Sequence, residues 1–157
     1  MILGQQPSQR IQGGNELETM RSQSRRDLKH GRLSYDLVGC AMDVHRELGP
    51  GQDERLYHLA LCEALRQKGI PFEYKPRGRL IHKGLVADEF EADLIVDDRI
   101  IVELKAMESG FVPEHFTQII CYLKFWQRDL GLLMDFGKES LVHKRVPYSE
   151  RSREVDA

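Results

Sequence analysis

The chain has 157 residues, of which 41% are apolar and 31% charged, and its formal net charge is −2. This length and apolar content predict one domain with a single hydrophobic core. The nearly neutral charge excludes a generally basic nucleic-acid-binding protein, so binding of phosphates would require a local basic patch.

The three cysteines and the lack of long apolar runs suggest a compartment for the protein. The cysteines are odd in number and lack CxxC spacing, which argues against a disulfide framework and a structural zinc site. No apolar run reaches the length of a membrane span. We therefore expect a cytoplasmic protein without membrane contact.

Both ends of the chain are polar. Residues 1–33 are rich in Gln, Ser, Gly and Arg, which predicts a flexible tail, with Met20 as an alternative start. Its basic residues are more typical of a solvated run of charges than of a phosphate-binding segment. The folded domain is expected over 34–147, followed by a second polar tail over 148–157.

Two helices are predicted before the first strand. Apolar residues recur at helical spacing from Ser34, a candidate N-cap, to residue 48. A second helix is predicted over 53–68, with Asp53 as its cap. Glu54 lies in line with the apolar stripe of this helix, so a carboxylate is expected at the start of an inward face.

The rest of the domain reads as strands and one further helix. Strands are predicted at 71–75, 79–82, 130–136 and 141–146, a turn at Lys83-Gly84, a hairpin over 90–106, and a helix over 113–127. The run at 130–136 is nearly continuous in apolar residues, as in a strand buried on both faces and reached by a crossover helix. This order predicts a mixed sheet with helices packed on it, an α/β fold.

The hairpin FEADLIVDDRIIVELKA is the most informative stretch. Alternation places apolar residues on one face and charged residues on the other. A three-residue turn at 97–99 would pair Val96 with Ile100. Asp93 then lies opposite Glu103, and Glu91 and Lys105 form the next pair.

Opposed carboxylates indicate a metal site. Side chains directly across a strand pair lie about 5 Å apart, so Asp93 and Glu103 would repel each other. A divalent cation removes that repulsion, and hard oxygen ligands suit Mg²⁺ or Mn²⁺. The alternative is that both are solvent-facing charges on a one-sided sheet, with Lys105 as a surface ion-pair partner.

These residues resemble the D…(D/E)xK signature of the PD-(D/E)XK nuclease superfamily. The chain resembles its small bacterial GxxExxY family more closely, through Gly51, Glu54 and Tyr57, and a QxxxY motif is present as Gln118 to Tyr122. Ala92 stands where the first residue of the "PD" pair is often proline. The resemblance implies a restriction-endonuclease-like αβββαβ core with an extra N-terminal helix.

The resemblance also implies a set of site residues. The metal ligands would be Asp93, Glu103, the carbonyl of Leu104 and Glu54, and the catalytic residues Lys105, Glu54, Gln118 and Tyr122. His45 and His115 are weaker candidates as assistants. Taken singly, Glu54 could equally satisfy the helix dipole, and Gln118 and Tyr122 could be ordinary surface and packing residues.

The implied function is a Mg²⁺- or Mn²⁺-dependent nuclease acting on nucleic acid, with DNA favoured over RNA as the substrate. A homodimer is one source from which its specificity could come. Two alternatives stay open. The domain could be a catalytically silent nuclease-fold module that binds nucleic acid or a protein partner. It could also hydrolyse a small phosphorylated molecule, in which case nucleotides and not polymers would be cleaved.

Overall fold

The computed structural model describes residues 29–149. Within that range three helices and seven strands occur, in the order α1 (Gly31–Leu48), α2 (Glu54–Gln67), β1 (Phe72–Tyr74), β2 (Arg77–His82), β3 (Leu85–Glu91), β4 (Leu94–Val96), β5 (Ile100–Lys105), α3 (Pro113–Trp126), β6 (Leu130–Asp135) and β7 (Val142–Pro147). No helix in this range has the length and apolar character needed to cross a membrane. The predicted tail residues 1–28 and 150–157, with Met20, lie outside the described residues, and the domain limits stay a prediction.

Five strands form the main sheet in the order β1-β4-β5-β6-β7. β5 and β6 are parallel and are joined by the crossover helix α3, while the other neighbours are antiparallel. The succession α2-β1-β4-β5-α3-β6 is the predicted αβββαβ core, and α1 is the extra N-terminal helix. The mixed α/β, restriction-endonuclease-like fold is therefore confirmed. β2 and β3 form a separate two-stranded sheet, which we call the arm (77–91).

The three central strands of the five-stranded sheet are buried on both faces. Side chains such as Val96 and Val102 pack with α1 and α2, whereas Ile95 and Ile101 pack beneath α3. The prediction that charged residues occupy the second face of the hairpin was therefore wrong at Ile95 and Ile101, near the turn. The crossover helix covers that face, so it carries isoleucines where α3 lies and charges only beyond it.

The hairpin has the predicted register but not the predicted continuity. Val96 pairs with Ile100, as the turn length indicated. The chain leaves the five-stranded sheet at Ala92, whose N–H donates to the Pro76 carbonyl at 3.2 Å. The expected pair of Glu91 with Lys105 is therefore wrong, because Glu91 belongs to the arm and accepts from Arg77 Nε at 2.7 Å.

The helix starts follow local hydrogen bonding. Asp53 caps α2 as predicted, accepting from the Arg55 N–H at 2.9 Å. α1 begins three residues before the expected cap, Ser34. The Ser34 hydroxyl instead lies buried in the first turn, where it donates to the Gly31 carbonyl at 3.1 Å and accepts from Arg145 Nη1 at 2.6 Å.

Candidate active site

Asp93 and Glu103 meet where the arm leaves the five-stranded sheet. The Asp93 N–H donates to Glu103 Oε1 at 3.0 Å, and the Leu104 N–H donates to Asp93 Oδ2 at 2.7 Å. Each carboxylate is thus fixed by the backbone of the opposite strand. Glu103 is 4% exposed and the Asp93 side chain 20% exposed, so the pair is held in a largely dehydrated setting.

Dehydration decides the electrostatics of this pair. Burial and, after it, the charge of Asp93 together raise the pKa of Glu103 to about 8. Burial also raises the pKa of Asp93, against the opposing effects of the Leu104 N–H and of His58. The positive charge of Lys105 lowers both pKa values. The pair therefore favours binding either a proton or a cation.

Helix α2 brings two more ligand atoms to this place. Glu54, His58 and Asp93 each offer one ligand atom, and these atoms all lie within 4.8 Å of one another. His58 Nε2 is 3.5 Å from Glu54 Oε1 and 3.7 Å from Asp93 Oδ2. Glu54 therefore lies beside Asp93, whereas Glu103 is not part of this group of three. The Glu54 side chain is 50% exposed and not buried in the apolar stripe.

Sequence reasoning missed His58. Its side chain is only 6% exposed, and its Nδ1 atom is buried without a hydrogen-bond partner among the described residues. The available signal was its spacing, since residues four apart on a helix share a face and His58 follows Glu54 by four. Carboxylate oxygens suit Mg²⁺ and Mn²⁺, and an imidazole nitrogen suits transition ions. The donor set therefore fits a divalent cation.

The three residues of the GxxExxY pattern fix the start of α2. Gly51 adopts φ +84°, a conformation that favours glycine. The Tyr57 hydroxyl donates to the Gly49 carbonyl and accepts from the Gln52 N–H at 3.2 Å. The Tyr57 ring is fully buried and stacks on Phe136 with centroids 4.7 Å apart. Tyr57 thus anchors the loop from which α2 presents Glu54.

Lys105 lies half-buried at the end of β5 and forms no ion pair within 4 Å in the part of the chain that the structure describes. Its carbonyl accepts from the Phe136 N–H at 2.8 Å.

Asp135 fixes the backbone just beyond β5 and β6. Its Oδ1 accepts from the N–H groups of Met107 and Gly137, each at 2.9 Å. Asp135 was not foreseen, although it is the one charged residue in an apolar strand.

α3 supplies the QxxxY residues. Tyr122 is buried, and burial together with the charges of Glu103 and Asp93 raises its pKa to about 12. A hydrogen bond with the exposed Gln118, one turn earlier, acts in the opposite direction. Tyr122 therefore stays protonated at neutral pH and is coupled electrostatically to the carboxylate pair.

The two weaker histidine candidates lie in other surroundings. His45 is buried in α1, where its Nε2 donates to the Lys138 carbonyl at 2.8 Å. His115 Nδ1 accepts from the Val112 N–H at 3.1 Å at the start of α3. Both have structural hydrogen bonds, and neither is among the three residues whose ligand atoms lie together.

Comparison with known proteins places the chain in a family. The family model described as the PD-(D/E)XK nuclease superfamily matches residues 31–146. No curated protein matches the chain. Among solved structures, the crystal structure of SSO0001 is similar, with 20% sequence identity and a TM-score of 0.49. That match covers 65% of this chain and 55% of SSO0001, so the chain spans about half the length of that structure.

Proposed function

Because the chain belongs to the PD-(D/E)XK nuclease superfamily, we propose that it is a Mg²⁺- or Mn²⁺-dependent nuclease that hydrolyses phosphodiester bonds of nucleic acid, DNA in preference to RNA. Within the superfamily we assign it to the GxxExxY family, on the basis of Gly51, Glu54 and Tyr57. The observation that carries the proposal is the dehydrated Asp93–Glu103 pair, of which Asp93 lies beside Glu54 and His58.

The chain offers a set of ligands for one divalent cation. Asp93, Glu103 and the Leu104 carbonyl would hold it, Glu54 would bind directly or through water, and His58 would add a nitrogen ligand. A cation bound here supplies positive charge for the phosphoryl oxygens and lowers the pKa of water. This proposal accounts for two carboxylates kept together in a site that otherwise favours protonation.

Lys105 is the proposed catalytic base. It follows Glu103 by two residues on the same strand, so both side chains lie on one face. Its nitrogen would orient the attacking water and take its proton, and would offset the negative charge that develops on phosphate. Gln118 would hold a water or a phosphate oxygen. Tyr122, protonated at neutral pH, would donate a hydrogen bond that supports it.

Calorimetric titration of Mn²⁺ tests the metal site without knowledge of the substrate. We expect saturable binding to the unaltered protein and to the control Glu47→Ala, which removes an exposed carboxylate of α1. Asp93→Asn should lose the binding and stay folded, because it removes one of two repelling carboxylates while its amide oxygen can still accept from the Leu104 N–H. If Asp93→Asn unfolds the protein, the carboxylate is structural and the metal site is not supported.

Turnover then separates a nuclease from its alternatives. With Mn²⁺ and labelled DNA and RNA, we expect hydrolysis by the unaltered protein, and Lys105→Ala should lower the rate by about 10²-fold or more with metal binding retained. Cleavage of nucleotides but not polymers would favour a small-molecule hydrolase. Binding of nucleic acid without hydrolysis would favour the silent module. We also propose that the protein forms a homodimer, and light scattering measures whether it does.

A further inference from the structure

The arm is far more exposed than the rest of the described domain. Every residue from 77 to 91 is exposed except Gly78 and Phe90, which are half-buried. Its two strands pair only with each other. An isolated two-stranded hairpin is at best marginally stable in water. The arm therefore depends on its base for a fixed position.

The base of the arm is fastened next to the carboxylate pair. The Phe125 ring of α3 packs directly over Gly78, where an added Cβ would lie 2.0 Å from Cε1. Phe90 packs on Phe125 with centroids 4.6 Å apart. Two residues beyond the end of the arm, the Asp93 carbonyl accepts from the Lys75 N–H at 2.8 Å. These contacts hold the arm at one orientation relative to the site.

The stem and the tip of the arm differ in charge. In the stem, cations are paired with anions: Arg77 with Glu91 at 2.7 Å and Arg79 with Glu89 at 3.2 Å. The tip, residues 80–87, contains Lys83 and His82, and the first carboxylate beyond it is Asp88, which pairs across the strands with Leu80. It also exposes four large aliphatic side chains, namely Leu80 (48%), Ile81 (55%), Leu85 (74%) and Val86 (49%).

We infer that the tip of the arm binds the nucleic-acid substrate outside the catalytic site, with its aliphatic side chains against sugars or bases and Lys83 at a phosphate. The inference rests on the proposed function and extends it to a second contact. Nucleic acid offers both partners that the tip requires, an anionic backbone and apolar base and sugar surfaces. Lys83 lies in the turn that joins the two strands, away from Asp88 at the other end of the tip, and supplies the cation for that backbone.

A second copy of the chain fits the tip less well. Each partner of a stable protein interface buries about 800 Å², well beyond what four partly exposed aliphatic side chains offer. Six residues of strand extend about 20 Å, the length of about six base-pair steps. Only substrates of that length or more would reach the tip.

Fluorescence anisotropy on a labelled 24-base-pair duplex and on a dinucleotide tests this contact. All proteins carry Lys105→Ala, so that the duplex stays intact when Mn²⁺ is present. We expect Leu80→Ser with Leu85→Ser to weaken duplex binding about tenfold and to leave dinucleotide binding unchanged. Lys83→Gln should reduce the salt dependence of duplex affinity by about one unit of log-log slope. The control Met42→Ser removes an apolar side chain of α1 that is 41% exposed and should change neither.

Several results would overturn the inference. If the serine variant and the control bind the duplex equally well, the aliphatic side chains of the tip do not contact the duplex. If Lys83→Gln leaves the salt dependence of duplex affinity unchanged, Lys83 does not contact a phosphate. A dimer that becomes monomeric on serine substitution with duplex affinity retained would assign the tip to a second copy. Because binding and not hydrolysis is measured, failure of the proposed chemistry in the turnover assay is seen separately from failure of the arm.

Discussion

The five-stranded sheet and the arm show how the same backbone pairing can have different sources of stability. The central strands β4, β5 and β6 are buried on both faces, and almost all of their residues are fully buried. The arm has as many paired residues as β5 and β6, yet none of its residues is buried. Burial fixes the first sheet, whereas an aromatic contact at one end fixes the second.

The candidate site lies at the junction of these two regions. Glu103 lies on a central strand, where burial is the largest of the effects that raise its pKa to about 8. Asp93 lies in the connection between the arm and β4 and stays partly exposed. The rigid sheet thus supplies a dehydrated ligand, and the departing chain leaves an opening through which solvent or substrate reaches it.

The largest expected difference between the two regions is in packing energy. Ile101→Ala removes a fully buried side chain beneath α3 and should lower the free energy of unfolding by about 2–5 kcal/mol. The matched change Ile81→Ala, at a side chain 55% exposed in the arm, should change it by less than about 0.5 kcal/mol. Urea denaturation of the two variants measures both. Similar losses would mean that the arm is part of the cooperative core.

Much of the first region could be predicted from the sequence. Period-two alternation and the three-residue turn predicted the register that brings Asp93 to Glu103, because these are local properties of one hairpin. The apolar run at 130–136 indicated a strand buried on both faces, which β6 confirms. The spacing of apolar residues along the chain indicates which side chains are buried. It therefore predicts the structure well in the five-stranded sheet, where burial determines the structure.

The second region and its consequences could not be predicted in this way. Nothing local marks Ala92 as the point where one strand pattern divides between two sheets, since the division depends on the Pro76 carbonyl sixteen residues earlier. His58 becomes a site residue only through the contact of α2 with β4 and β5. In the sequence Asp135 only interrupts an apolar strand, and its role depends on Met107 in another loop. Each of these three features depends on contacts between residues that are distant in the sequence.

A second prediction concerns pH. In metal-free protein the pKa of Glu103 is raised to about 8 in the folded state, above about 4.5 for an unfolded glutamate. The folded state then binds the proton more tightly, so this stabilisation is complete below about pH 4.5 and is lost as the pH rises towards 8. We expect a loss on the order of a few kcal/mol over this range, measured by urea denaturation in EDTA.

Glu103→Gln is the matched control for this pH dependence. Its amide oxygen can still accept from the Asp93 N–H, but it carries no titrating proton. The decline between pH 5 and 8 should therefore be much shallower in this variant than in the unaltered protein. Mn²⁺ should also remove most of the decline from the unaltered protein. An identical pH profile in the variant would show that Glu103 is not the group that titrates.

The smallest predicted effect is confined to the arm. Gly78→Ala would place a Cβ within 2.0 Å of the Phe125 ring, so the ring or the arm must move, at a cost of about 1–3 kcal/mol. Because the five-stranded sheet does not depend on this contact, the damage should be local. Hydrogen exchange should show faster exchange of amides in β2 and β3, with those of β5 and β6 unchanged.

Gly39→Ala provides a control with the opposite expected sign. Gly39 lies in α1 with no atom within 4 Å of an added Cβ, so alanine should stabilise the helix by about 0.4–1 kcal/mol and leave the arm unaffected. If Gly78→Ala accelerates exchange in both sheets equally, the arm and the sheet unfold together. If it accelerates only the arm and also weakens duplex binding, then the Phe125 contact sets the orientation in which the tip meets the substrate.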